Sequence, residues 1–247
     1  MKIGIYGQFY HQDSEIYFQL LLEALQKRGA EVVFEENFLN ILRQNPEIKL
    51  NVNGFSTFTK LDSSFDYFFS IGGDGTILKA VAFVADLGIP IVGINTGRLG
   101  FLASIQKEEV TESLSSILEG DYIISERTLL TVETQPDGGE IPLNFALNEV
   151  AVNRRNTSAM IRVDTWINDK YLTSYWSDGL IIATPTGSTG YSLSCGGPIL
   201  EPSSNTFLLT PIAPHNLSAR PLVIPDTAVL TLEISGREES FLLSLDA

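Results

Sequence analysis

The sequence predicts an α/β N-terminal domain with a parallel sheet, followed by a C-terminal β-rich domain. In the first hundred residues, apolar strand-like runs alternate with amphipathic helix-like runs. A Gly-Gly-Asp-Gly-Thr turn at 72–76 joins one such strand directly to a helix. After residue 120, short alternating runs are separated by turn clusters, which is typical of β structure. We therefore expect domains at 1–100 and 101–247.

The elements of the first domain follow from its apolar periodicity. Strands are predicted over 2–6, 31–34, 66–71 and 89–94, and helices over 14–28 and 77–87. Gly29 is placed to end the first helix, and the polar stretch 37–64 predicts a short helix and a loop. The run from Gly4 to Phe9 does not complete a GxGxxG fingerprint, so no Rossmann-type dinucleotide site is predicted at the N-terminus.

The second domain begins after a predicted connecting helix at 107–119. Alternating runs predict strands over 129–134, 144–152, 161–167, 179–184 and 228–234, with a turn at 135–139. In the run 161–167, Trp166 lies on the opposite face from Val163 and Thr165. This pattern predicts apolar surface on both sides of a sheet.

The amino-acid composition and the net charge restrict the kinds of protein and of binding site that the chain can form. With 44% hydrophobic and 19% charged residues and no apolar run approaching about 18 residues, the chain reads as a cytoplasmic globular protein without a membrane partner. Cys195 is the single cysteine, and His11 and His215 are the two histidines, which excludes an internal disulfide and predicts no zinc cluster. A net charge of −14 argues against nucleic acid as a partner.

The turn at 72–76 has the features of a phosphate loop. Gly72, Gly73 and Gly75 carry no Cβ that would keep a phosphate from the backbone, and Thr76 opens a helix whose positive end faces the turn. Asp74 needs a different explanation, because a carboxylate beside phosphates is repelled unless a cation shields it or it accepts a proton. Either role points to phosphoryl transfer. The alternative is that Asp74-Gly75 forms a hairpin turn, although the pattern after it is helical.

A second motif runs from Ser177 to Ser194 and places a strand against a loop of hydroxyls and glycines. Such a loop suits a polar heterocycle and its ribose, and Tyr191 offers a face for stacking. On its own, the pattern also fits an ordinary surface turn.

Taken together, these segments resemble the NAD kinase (ATP-NAD kinase) family. The matching stretches, in the family's order, are 72–76, 93–102, 147–150, 178–200 and 213–222. The resemblance implies a Rossmann-like parallel sheet carrying the GGDGT turn, plus a C-terminal β-sandwich, in a homodimer or homotetramer. It implies transfer of the terminal phosphoryl of ATP to the adenosine 2′-hydroxyl of NAD, with a divalent cation such as Mg²⁺ bound with the ATP phosphates.

The resemblance also implies roles for single residues. Asp74 matches the proton acceptor, with Gly75 and Lys79 facing the ligand, and Asn148 and Glu149 match the pair that grips ribose hydroxyls. The remaining NAD contacts implied by position are Asp178, Thr189, Gly190, Tyr191, Ser192, Leu193 and Ser194.

Three matters stay open in the sequence. No Walker A lysine is present, so the candidate counter-charges for phosphate are Lys79, Arg98, Arg154, Arg155 and Arg220. A lipid kinase shares the glycine-acid turn, although a net charge of −14 suits a membrane-facing surface poorly. The third alternative is a non-catalytic module that senses NAD. Such a module would need a pocket for NAD but no phosphate loop, so the presence of Asp74 in that loop favours an enzyme.

Overall fold

The computed structural model describes residues 1–8, 15–45, 48, 50–97, 100–134, 141, 143–156, 159–237 and 240–246. The chain divides into two units, Met1–Ile124 and Ser125–Ala247. The expected boundary after residue 100 falls inside the first unit, because Val110 and Leu114 pack into that unit's core. His11, Arg98 and the predicted turn at 135–139 lie outside the described residues.

The first unit is built on a six-stranded sheet in the order β3-β2-β1-β4-β5-β6. Its strands are β1 (Lys2–Gly7), β2 (Glu31–Glu35), β3 (Ser56–Phe58), β4 (Tyr67–Ile71), β5 (Ile91–Asn95) and β6 (Ile105–Gln106). Every neighbouring pair is parallel, as predicted. The strand order reverses between β1 and β4, and the carboxyl ends of such a pair are where open α/β sheets bind ligands.

Four helices flank this sheet in the described residues. They are α1 (Glu15–Lys27), α2 (Glu36–Gln44), α3 (Asp74–Val84) and α4 (Val110–Glu119). As predicted, α1 ends just before Gly29, whose φ of +68° is the left-handed conformation that glycine adopts most readily. The predicted start of α3 at Ile77 is wrong by three residues, because the extended Gly73 is its N-cap and Asp74 is already helical.

A buried carboxylate begins α2. Glu35 is 4% exposed, and its two oxygens accept hydrogen bonds from the backbone N–H groups of Asn37 (3.1 Å) and Phe38 (2.8 Å). Burial, with a contribution from the charge of Glu35, raises the pKa of Tyr6 to about 12, so the phenol stays protonated. The sequence alone predicts only a short helix in this region.

The second unit is an antiparallel β-sandwich. Its strands are β7 (Leu130–Thr131), β8 (Phe145–Ala146), β9 (Glu149–Arg154), β10 (Ile161–Ile167), β11 (Lys170–Ser177), β12 (Gly179–Ala183), β13 (Thr206–Ile212), β14 (Leu222–Pro225), β15 (Leu230–Gly236) and β16 (Phe241–Leu245). A five-stranded sheet, β14-β13-β12-β9-β16, and a three-stranded sheet, β11-β10-β15, enclose one apolar core. The strands β7 and β8 pair separately.

Two differences from the predicted structure concern the site. The predicted strand 144–152 is interrupted, because β8 ends at Ala146 and β9 starts at Glu149. The Ser/Thr/Gly loop is partly helical: a 3₁₀ turn, Thr186–Thr189, leads into α5 (Tyr191–Ser194). Tyr191 and Cys195 of this segment pack on the second face of the five-stranded sheet. None of the helices in the described part of the chain is long and apolar enough to cross a membrane.

Replacing Glu35 by Ala should lower the free energy of unfolding by about 1–2 kcal/mol, because two N–H groups at the start of α2 lose their acceptor. Urea unfolding followed by far-UV circular dichroism measures this. The matched control is Glu36→Ala, which removes an equal charge from an exposed position one residue further along. Equal losses in the two variants would contradict the capping role.

Candidate active site

Asp74 is the first residue of α3, and its carboxylate binds a neighbouring segment of the backbone. Its Oδ2 accepts from the N–H of Phe101 (2.7 Å), and its Oδ1 accepts from the N–H groups of Leu102 (3.0 Å) and Ala103 (3.3 Å). A carboxylate offers about four acceptor positions, so the three donors found among the described residues leave one position for a further proton or ligand. The side chain is half-buried, which keeps that position within reach of solvent or a ligand.

The glycines around Asp74 differ in what requires them. A Cβ at Gly100 would overlap the Asp74 carboxylate, and a Cβ at Gly72, where φ is +152°, would overlap the buried Thr76 side chain. At Gly73 and Gly75, by contrast, no heavy atom of the described residues, apart from the adjoining backbone, lies within 4 Å of the position of a Cβ. Packing therefore requires glycine at 72 and 100, whereas at 73 and 75 the space is open for an incoming group.

The amide groups at the start of α3 lie next to the glycine turn. Its N-cap is Gly73, which supplies no capping side chain to the N–H groups of the first turn. These N–H groups and the helix dipole favour an anion. Lys79 is exposed on the same helix, one turn further along.

Asn148 and Glu149 lie where β9 begins, next to the glycine of the hydroxyl loop. A Cβ at Gly190 would be 3.4 Å from Glu149 Oε2 and 3.9 Å from Asn148 Nδ2. Glu149 is 1% exposed, and Asn148 is half-buried. The structure thus brings together three of the residues that the sequence assigned to one ligand.

Asp178 is held by a basic residue of the neighbouring strand. Its Oδ2 lies 2.8 Å from Nη2 of Arg154, and both side chains are about one quarter exposed, at 27% and 26%. Arg154 was a candidate counter-charge for phosphate, and in this structure its charge is matched by Asp178. The guanidinium of Arg220 likewise donates to backbone carbonyls of its own loop, at Leu217 and Ala219. Arg155, the other candidate described in this unit, donates to Ser240.

The side chains of the loop from Thr189 to Ser194 differ in how deeply they are buried. Ser192 is fully buried, and its hydroxyl lies 2.8 Å from that of Thr210. The Tyr191 hydroxyl donates to Asn153 Oδ1 at 3.4 Å, and burial is the main cause that raises the pKa of this phenol. Leu193 and Ser194 are exposed, and Thr189 is half-buried.

Three further residues contact these segments and were missed in the sequence. The carboxylate of Asp246 accepts hydrogen bonds from the backbone at Asn148 and Glu149. Thr184 is fully buried and bonds the same segment, and Nη1 of Arg127 donates to Thr186 Oγ1 at 3.4 Å. Arg127 and Asp246 lie outside any recognisable motif, so no sequence pattern identified them. Thr184 stands within the matching stretch 178–200, but as one hydroxyl among several.

Comparison with known families gives matches over both units. A model of the ATP-NAD kinase N-terminal domain matches residues 3–122, and a model of the ATP-NAD kinase C-terminal domain matches residues 147–247. An NAD kinase of Christiangramia forsetii is 56% identical over 248 residues, which cover 100% of this chain and 84% of that protein. An NAD kinase of Bacteroides fragilis is 44% identical, with the same shares covered, 100% and 84%.

Solved structures show the same similarity. The crystal structure of yeast NADH kinase complexed with NADH has a TM-score of 0.84 and 25% identity, over 100% of this chain and 75% of that chain. An NAD kinase from Archaeoglobus fulgidus in complex with ATP has a TM-score of 0.69 and 26% identity, over 100% of this chain and 87% of that chain.

Because the space at Gly75 is open, a substitution there can distinguish a role of this glycine in folding from a role in binding a ligand. Gly75→Ala should raise the free energy of unfolding by about 0.5–1 kcal/mol, because alanine favours a helix interior and its methyl group clashes with no side chain of the described residues. The same methyl group should weaken binding of ATP, titrated by calorimetry as a phosphate-bearing probe.

Gly100→Ala is the contrasting variant, and it should destabilise the first unit because its Cβ overlaps Asp74. If Gly75→Ala binds ATP as the wild type does, then the open space at residue 75 is not used by the ligand.

Proposed function

The chain belongs to the ATP-NAD kinase family, and from this premise we propose how its residues carry the terminal phosphoryl group of ATP to NAD. The protein is an enzyme that phosphorylates NAD with ATP as the donor. We infer that the acceptor atom is the adenosine 2′-hydroxyl, so that the product is NADP. The observation that carries the mechanism is the Asp74 carboxylate, fixed at the N-terminus of α3 with one acceptor position left.

In the proposed mechanism, Asp74 accepts the proton of the attacking hydroxyl. A ribose hydroxyl is a very weak acid, so the proton moves late, as the bond to phosphorus forms. General-base assistance of this kind contributes about 10²–10⁴-fold to the rate. Alignment of the hydroxyl and neutralisation of charge on the phosphoryl oxygens supply the rest. Amides 101–103 keep the carboxylate in one orientation, which is part of that alignment.

The phosphates are assigned to the glycine turn. Gly72, Gly73 and Gly75 place no side chain beside the amides at the start of α3, where we propose that an anion binds, and Thr76 is buried in the first turn of that helix. We assign Lys79, which is exposed on α3, as the side chain that adds a positive charge.

A divalent cation is the further requirement that we propose. No group of three His, Cys, Asp or Glu residues that could hold a metal occurs among the described residues. We infer that Mg²⁺ is bound chiefly by phosphate oxygens of ATP, the ligands it prefers together with water. When bound, it neutralises charge on the phosphoryl group that is transferred.

The second unit supplies the proposed contacts to NAD. Asn148 and Glu149 orient the ribose, and Gly190 lies against both of them. Asp178, Thr189, Tyr191, Leu193 and Ser194 are proposed as the outer contacts. Ser192 is assigned a supporting role, because its buried hydroxyl pairs with Thr210.

We also propose that the enzyme works in the cytoplasm as a homodimer or homotetramer. The outer face of the three-stranded sheet exposes large aromatic groups, with Trp176 46% and Tyr171 57% exposed. A symmetric assembly through this face would remove them from water.

The assigned function is tested by a coupled assay that offers NAD, NADH and a diacylglycerol in turn, each with ATP and Mg²⁺. Phosphorylation of NAD is expected. Phosphorylation of the diacylglycerol alone would overturn the assignment and favour a lipid kinase.

In that assay, Asp74→Asn should lower kcat by two or more orders of magnitude, because the amide cannot take the proton. Asparagine keeps one acceptor oxygen, which can still bind the N–H groups of Leu102 and Ala103 but not that of Phe101. The fold and much of the NAD affinity should therefore survive, as circular dichroism and calorimetry would show. Turnover near that of the wild type would remove Asp74 from the base role.

Dilution tests the assembly. Specific activity should fall as the protein is diluted through the dissociation constant of the oligomer, because neighbouring subunits would contribute to the NAD site. Light scattering at each assay concentration gives the oligomeric state. A monomer with full specific activity would refute the proposal.

A further inference from the structure

Residues 147–149 carry Asn148 and Glu149, and one side chain binds all three of their N–H groups. Leu147 N donates to Asp246 Oδ2 at 2.9 Å. Asn148 N and Glu149 N donate to Asp246 Oδ1 at 2.6 and 3.2 Å. Asp246 returns one bond of its own, from its N–H to the carbonyl of Glu149 at 3.0 Å.

The two remaining carbonyls of the segment are bound from the other side. Thr184, 0% exposed, donates from Oγ1 to the Leu147 carbonyl at 2.5 Å and from its N–H to the Asn148 carbonyl at 2.9 Å. All three N–H and all three C=O groups of residues 147–149 are therefore bonded to Asp246 or Thr184. A Cβ at Gly187 would overlap the Asn148 backbone, so no room is left for the segment to shift in that direction.

The backbone of Asp246 is itself unusual. Asp246 follows β16, which ends at Leu245, and it adopts a left-handed conformation with a φ of +52°. This conformation costs aspartate roughly 1 kcal/mol, and it persists only where the surroundings require it. Here it directs the carboxylate to amides 147–149 of the neighbouring strand. Strained residues of this kind concentrate at functional sites.

We propose that Asp246 is a positioning residue of the phosphoryl transfer, which fixes Asn148 and Glu149 in the orientation that receives the ribose of NAD. The inference rests on the proposed function, which gives the ribose to those two residues. Asp246 acts through the backbone and has no assigned contact with substrate. Because β8 has ended and β9 is only beginning, this segment depends on Asp246 and Thr184 for backbone bonds that a continuous strand would obtain from its neighbours.

The test compares Asp246→Ala and Asp246→Asn with the wild type by steady-state kinetics. In the alanine variant, the KM for NAD should rise at least about tenfold and kcat should fall, because a misplaced hydroxyl loses both binding and alignment. The KM for ATP should stay within about twofold. Asparagine keeps one oxygen for the N–H groups of Asn148 and Glu149, so its effect should be intermediate. If the alanine variant does not fold, the asparagine variant decides the matter.

Asp169→Ala is the matched control. Asp169 also has a left-handed φ, +64°, and lies exposed in the β10–β11 turn of the same unit. The substitution therefore removes the same charge and incurs a similar backbone strain without touching residues 147–149. Its KM values should match those of the wild type.

A double-mutant cycle with Glu149→Gln separates positioning from general stability. If Asp246 acts through Glu149, Asp246→Asn should change the KM for NAD much less in the Glu149→Gln background than in the wild type. Fully additive changes would overturn the inference. So would an unchanged KM for NAD in both Asp246 variants accompanied by a lower melting temperature. Failure of the wild type to phosphorylate NAD would refute the proposed function instead, and the two failures are therefore distinguishable.

Discussion

A single carboxylate that accepts three consecutive backbone N–H groups is the interaction on which the proposed ligand-binding segment of each unit depends. In the first unit Asp74 binds the N–H groups of residues 101–103, and in the second Asp246 binds those of residues 147–149. Consecutive N–H groups that point the same way form a concave site for an anion. Here the protein's own carboxylate fills that site. Both segments are therefore ordered before any ligand arrives, so binding need not supply the entropy of ordering them.

Basic side chains of the second unit are likewise bound by the protein itself. The chain carries a net charge of −14, yet its substrates are rich in phosphate. In the second unit, Arg154 is paired with Asp178 and Arg220 is bound to carbonyls, so these two basic side chains already have partners. For the phosphates we have proposed the backbone amides at the start of α3, together with Lys79. Amides attract phosphate at short range without adding a long-range field, which salt would screen beyond about 8 Å.

Much of this architecture could be predicted from the sequence, because local signals coincided with it. The parallel sheet, the helix stop at Gly29 and the strand-turn-helix around Asp74 all follow from periodicity and glycine placement. The break between β8 and β9 could not be predicted, because the side chain that binds its N–H groups, Asp246, lies almost one hundred residues away in the chain. The same limit applies to Asp74: the turn predicted an anion site, but only the fold brings amides 101–103 to the carboxylate.

The position of the two tryptophans has a spectroscopic consequence. Trp166 and Trp176 are the chain's two tryptophans, and both lie on the three-stranded sheet, where Trp166 packs against Tyr171 and the guanidinium of Arg162 lies over Trp176. Intrinsic fluorescence excited at the indole band therefore reports on one face of the second unit. The first unit, with its phenylalanine-rich core, is silent in that channel. An emission change on adding nucleotide would thus locate a response in the sandwich without any introduced label.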